Sequence, residues 1–289
     1  IYLSQGEYEA AAKEYEKSGG IRALIDLGRM AEEEGLPDIA ITTYERVLDS
    51  SKDEKAKAEA SLRIGLAQRS LGKVQEALKT LGGAASQYPW IWGEAQYGIG
   101  MIYLVDLNEP RKAISEFEEL FGRPAEPRSV AAGVALVECH LSIGDLSRAE
   151  KTCEKLQSRE PDRATFLLAE IQYYKGDFEK ALKLYMEVVE RHKNSEVVND
   201  ALERVLLIGE NQGEGLKELA RAELLGVEKR YDEGIAMLRQ LIGRGGPSSL
   251  LARATFLMGG LLRRKGEVHQ AIGAYRDVMG NYPESPLCP

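Results

Sequence analysis

The apolar and polar positions of the chain repeat one ten-residue frame from end to end. Its clearest copy is Gly176-Asp177-Phe178-Glu179-Lys180-Ala181-Leu182-Lys183-Leu184-Tyr185. The frame holds a turn residue, a small residue five positions later and a large one nine positions later. The turn residues are Gly6, Gly35, Gly72, Asn108, Gly144, Gly176, Lys229 and Gly266. The small place holds Ala11, Ala40, Ala77, Ala113, Ala149, Ala181, Gly234 and Ala271. Tyr15, Tyr44, Leu81, Phe117, Cys153, Tyr185, Leu238 and Tyr275 take the large place. Residues one helical turn apart share a face, so the frame predicts a tight turn followed by an amphipathic helix.

A second helical pattern precedes each turn, with a small residue seven positions upstream: Gly28, Gly65, Ala169, Ala222 and Gly259. Gly100 takes that place before Asn108 if the turn there is one residue longer. Glycine inside a helix costs about 1 kcal/mol against alanine, so its return at one register points to two closely packed helices. Pro89, Pro161 and Pro283 each fall 17 residues after a turn residue, where the second helix should end. No stretch alternates with period two for long enough to be a strand. The expected unit is therefore helix, short turn, antiparallel helix.

These residues resemble the tetratricopeptide repeat (TPR) family, bacterial type. The likeness rests on Gly259, Ala271, Tyr275 and Pro283, and on Gly65, Ala77, Leu81 and Pro89, and it covers nearly the whole chain. The resemblance implies an all-α, right-handed superhelical solenoid of antiparallel helix pairs. The family's usual Trp early in the first helix is absent, with Leu24, Ser61 and Thr255 at the matching positions. Some members hold a partner's C-terminal carboxylate with Lys and Asn on the first helices. Leu62, Leu66, Val134 and Glu138 stand at matching positions here, which argues against a chaperone-tail co-receptor. Tyr282-Pro283-Glu284-Ser285 resembles a motif of long bacterial arrays in cell-envelope assembly, favouring a cell-envelope, periplasmic or extracellular setting over a cytoplasmic one.

One separation breaks the period, because Gly176 and Lys229 lie 53 residues apart. Residues 195–208 read as an extra helix, Glu210 to Gly215 as a loop, and Leu216 to Val227 as another helix. The break divides the chain into an N-terminal array over 1–209, of about six units with the first incomplete, and a C-terminal array over 210–289, of about two. Gly122 to Pro127 reads as a stiff loop and Gly243 to Pro247 as a flexible one.

Composition narrows the partners. A net charge of −8 and a pI near 5.2 disfavour nucleic acid. No apolar run approaches the roughly 18 residues that span a bilayer, which argues against direct membrane insertion. The chain begins at Ile1-Tyr2-Leu3-Ser4-Gln5, which reads as the tail of a helix in a trimmed product, so a missing signal peptide says nothing of compartment.

Cys139, Cys153 and Cys288 are too few and scattered for a disulfide framework or metal site. Cys153 reads as a buried hydrophobe, with a bridge to Cys139 as the alternative. His140, His192 and His269 lie in different units and read as packing or surface residues. Gly98 and Gly100 follow no strand, so no dinucleotide loop is supported. No catalytic, cofactor-binding or metal-binding residues are expected, and no enzyme.

In a stack of helix pairs the first helices line the inner surface. Helical phase turns inward the side chains three before and one or four after the small residue of that helix. This selects Leu62, Leu66, Tyr97, Met101, Leu104, Val134, Leu141, Phe166 and Tyr173 as a candidate groove. Arg29, Arg63 and Arg69 would form its polar rim. Such a groove takes an amphipathic helix or extended apolar peptide, although the same residues could serve only as packing between units. The expected function is a non-enzymatic scaffold or adaptor in a multiprotein assembly, with another protein or a peptide as partner. The alternative is a structural subunit that stacks end to end on itself or sits permanently in a larger complex or filament.

Overall fold

A computed structural model describes residues 5–285 and Leu287. The described residues form sixteen α-helices and no strand. The contacts divide the chain into two compact units, Ile1–Gly133 and Val134–Pro289.

In the first unit, α1 (Gln5–Ser18) packs on α2 (Ile21–Glu33) and α3 (Pro37–Ser50). The pairs α4 (Glu54–Ser70) with α5 (Val74–Gln87) and α6 (Trp92–Met101) with α7 (Pro110–Phe121) follow. The boundary falls within α8 (Ser129–Ser142). The second unit continues with α9 (Leu146–Leu156), then α10 (Pro161–Lys175) paired with α11 (Phe178–Arg191). Helix α12 (Val198–Glu210), outside the repeat pairs, packs on α11. Two further pairs close the unit: α13 (Glu214–Val227) with α14 (Tyr231–Arg244), and α15 (Ser248–Lys265) with α16 (Val268–Asn281).

The turns have the chemistry that the frame expects. Gly35, Gly72, Gly144, Gly176 and Gly266 all adopt left-handed φ, between 72° and 93°. Glycine enters that region without a Cβ clash. Asn108 (φ 54°) and Lys229 (φ 60°) take the same conformation at the two places where the frame lacks glycine. Asp145 and Asp177 then cap the next helices by accepting from the backbone N–H of Arg148 (3.0 Å) and Lys180 (3.2 Å). Proline opens α3, α7 and α10, where its missing N–H costs nothing.

The small and large positions of the frame meet across each pair. A Cβ on Gly65 would lie 2.7 Å from Leu81, one on Gly100 2.5 Å from the Phe117 ring, and one on Gly259 2.8 Å from Tyr275. Gly28 faces Tyr44 in the same way. These glycines give up helix propensity so that a large side chain can fill the seam. The extra residue before Asn108 is absorbed as a π-helical turn over Ile102–Asp106, which keeps Gly100 against Phe117.

Gly6 departs from the frame. It lies in the first turn of α1 with ordinary helical backbone, and the left-handed turn belongs to Gly19 (φ 70°) instead. Helix α1 thus runs through the expected turn. The reading of Ile1 to Gln5 as a helix tail, and Cys288, fall largely outside the described residues.

Between α12 and α13 the connector is only residues 211–213. Asn211 is buried there, donating to the Leu207 carbonyl (2.9 Å) and accepting from Ser249 Oγ (3.2 Å). The two-array division at 209/210 rests on the repeat spacing alone.

Candidate functional site

In the first unit the five groove candidates on α4, α6 and the π-helical turn after it are apolar or aromatic and partly open. Leu62, Leu66, Tyr97, Met101 and Leu104 are all half-buried. Leu62 and Leu66 rest on a core of Ala77, Leu81, Ala95 and Ile102. The Tyr97 ring tilts against Phe117 at 5.8 Å, and the Arg128 guanidinium stands 5.5 Å above it. Arg128 is itself held by Glu94 (2.7 Å). Nearby, Arg123 stacks 3.8 Å over Trp92, so α6 carries aromatic faces flanked by cations.

A ladder of ion pairs joins successive first helices along this face. Arg29 of α2 pairs with Glu59 of α4, and Arg63 of α4 with Glu32 of α2 (2.8 Å). Arg69 of α4 reaches Asp106, in the π-helical turn after α6. The three arginines expected at the rim are therefore all spent on carboxylates of the neighbouring helix. Each pair is part-exposed and contributes roughly 0–1 kcal/mol, so the ladder sets orientation more than stability.

The other four candidates lie in the second unit. Val134, Leu141 and Tyr173 are buried, at 8%, 6% and 0% exposure, and Phe166 is half-buried with its ring 5.8 Å from Tyr185. Leu141 shares a cluster with Leu168 and Ile171 against which Val227 of α13 packs. Here the Leu141 cluster and Tyr173 are covered by α13 and α12 of the same chain.

The centre of that cover is an ionic node the sequence reading did not find. Arg204 of α12 donates from Nε and Nη2 to the two carboxylate oxygens of Glu170 on α10, both at 2.8 Å. Its Nη2 also pairs with Glu223 of α13 at 2.7 Å. The guanidinium lies 4.5 Å over the Tyr173 ring. Tyr174 Oη donates to Glu170 at 3.2 Å, and Tyr185 Oη donates to the same carboxylate. Burial works against the Arg204 charge, but Glu223 and Glu170 outweigh it and hold the guanidinium protonated well above its ordinary range. Burial, followed by the Glu170 charge, pushes the Tyr185 hydroxyl far up, so it stays a donor.

Cys139 and Cys153 are free thiols, fully buried, and each is pushed up to about 12, chiefly by burial. Cys153 thus fills the large position as a small hydrophobe, and the alternative Cys139–Cys153 bridge is not formed. His140 is buried and His269 exposed. Among the described residues no group of three or more His, Cys, Asp or Glu is placed to hold a metal ion, and no helix is long and apolar enough to cross a membrane.

Repeated helix pairs and glycine-packed seams define an all-α helical-repeat protein. Models of the tetratricopeptide repeat match residues 25–89, 102–164 and 219–286, and a second such model matches 163–195. The chain belongs to the tetratricopeptide repeat family. No curated protein matches it. Among solved structures it is similar to a tetratricopeptide repeat protein from Parabacteroides merdae, with TM-score 0.54, 16% identity, and coverage of 91% of this chain and 94% of that one. It is also similar to PilF of Pseudomonas aeruginosa, with TM-score 0.51, 14% identity, and coverage of 78% and 92%. These likenesses show the fold. Family and fold are those of protein-interaction scaffolds, a class that is typically non-catalytic.

Proposed function

We propose that the protein is a non-enzymatic scaffold in a multiprotein assembly, holding an amphipathic or extended apolar peptide on the inward face of α4 and α6. One observation carries this reading. Leu62, Leu66, Tyr97, Met101 and Leu104 are all part-exposed, whereas of the four candidates in the second unit only Phe166 is, and Val134, Leu141 and Tyr173 are buried. Apolar side chains left accessible along one helical face are what a partner helix covers. Tyr97 is the anchor of choice, since a rigid ring beside a guanidinium offers large contact area at low entropy cost.

The test is a chain carrying Tyr97→Ser, Met101→Ser and Leu104→Ser. Partner recovery from the native host should fall at least tenfold while helicity by circular dichroism stays at the parent level. Undiminished recovery with intact helicity would remove α6 from the binding face.

End stacking is a second reading, favoured by an exposed apolar face on α16. Val268, Ile272 and Met279 of α16 are 54%, 42% and 49% exposed, at spacings that place them near one face. Light scattering that rises with protein concentration and is abolished by Ile272→Glu would support it.

A further inference from the structure

Helix α12 has no partner helix in the repeat scheme, yet it reaches three others besides α11, on which it packs. Arg204 grips Glu170 of α10 and Glu223 of α13, and Glu203 meets Arg253 of α15 at 3.4 Å. Glu170 and Tyr173 stand one and four residues after Ala169, the small residue of α10, and Glu223 stands one after Ala222, that of α13. These are the inward positions of their helices. The register that is part-open on α4 and α6 is here filled by a helix of the chain itself.

The attachment is both apolar and polar: Val198, Val205 and Leu207 of α12 pack half-buried against the core of this unit, and Arg204 adds the ionic contacts. The buried residues of α12 are Ala201 and Ile208, while Leu202 and Leu206 stand 41% and 62% exposed. A buried triad of this kind stabilises little more than well-packed apolar residues would, and its best-attested use is to fix register or act as a switch. Arg204 Nη1 and the buried Tyr173 hydroxyl make no hydrogen bond to another protein group.

We propose that α12 is a self-supplied occupant of the inward face of α10 and α13, latched by Arg204, and that its release uncovers a second surface for an amphipathic helix carrying one cation. The ligand-binding half of this proposal rests on the scaffold reading given above, and the latch does not. The uncovered surface would present Glu170 and Glu223 as paired acceptors, with Tyr173 as the aromatic floor. An arginine on the incoming helix would reproduce the contacts of Arg204.

Hydrogen exchange on the full chain tests the latch. Arg204→Ala should lose protection over residues 198–210 while 146–191 and 231–281 keep theirs. Arg204→Lys keeps the charge but cannot form the two-oxygen fork, so it should show the same local pattern at smaller amplitude. The Lys variant decides the matter if the Ala variant fails to fold. Protection unchanged, or lost evenly over 146–281, would make Arg204 an ordinary core residue and overturn the latch. The second surface is tested with a labelled synthetic peptide of residues 196–212. It should bind the Arg204→Ala chain at least tenfold more tightly than the parent, and its own Arg204→Ala version should not bind. Local opening without peptide binding would overturn the second surface, and would leave the α4–α6 reading to the Tyr97 variant.

Discussion

Gly65 on α4 and Leu81 on α5 are matched to each other: a Cβ on Gly65 would lie 2.7 Å from Leu81 Cγ, closer than real Cβ contacts come. Gly65→Ala should therefore destabilise the first unit by about 1–3 kcal/mol, because an overpacked seam must shift. Ala181→Leu should do the same in the second unit, where Ala181 is wholly buried. Gly83→Ala is the contrast, since Gly83 sits in α5 with nothing within 4 Å of its would-be Cβ. It should stabilise by about 0.5–1 kcal/mol through helix propensity alone. Denaturant unfolding of the three variants checks both signs.

That seam also shows how far the sequence could be read. Turn, small residue and large residue recur at fixed spacing because the contact between Gly65 and Leu81 is made between adjacent helices, and so is the one between Gly259 and Tyr275. The family and the all-α architecture follow from such local contacts. The node of Glu170, Arg204 and Glu223 leaves no such trace. Its members lie on α10, α12 and α13, and each looks like one of many charges on a helix surface. The burial of Leu141 and Tyr173 was hidden for the same reason, since their cover comes from α12 and α13 rather than from the next residue in the repeat. Gly6 failed differently. Its spacing fits the frame, but nothing local forces a glycine out of helical φ.

The buried thiols give a prediction in solution. With Cys139 and Cys153 pushed up to about 12 by burial, neither carries appreciable thiolate at pH 8. In a chain bearing Cys288→Ser, a thiol reagent should label nothing in the folded protein and two sites after unfolding. Fast labelling of the native chain would mean that the α8–α9 seam opens readily.

The division into arrays at 209/210 makes a prediction by proteolysis. If two arrays meet there, limited digestion should cut first between Ile208 and Leu216, giving fragments of roughly two-thirds and one-third of the chain. Arg204→Lys should speed that cut, because the same latch holds α12. First cleavage in the Gly243–Gly246 loop, with 208–216 protected by the Asn211 hydrogen bonds to Leu207 and Ser249, would make the C-terminal array continuous with what precedes it.

The central claim is that partners dock on the inward face of α4 and α6, and site-specific photocrosslinking reads it whatever the identity of the partner. A photoreactive residue would be placed in turn at Leu66 and Met101, and at the exposed control positions Lys79 on α5 and Glu118 on α7. In the native host, heavier adducts should form from positions 66 and 101 and not from 79 or 118. Adducts from the control positions alone, with none from 66 and 101, would contradict the account.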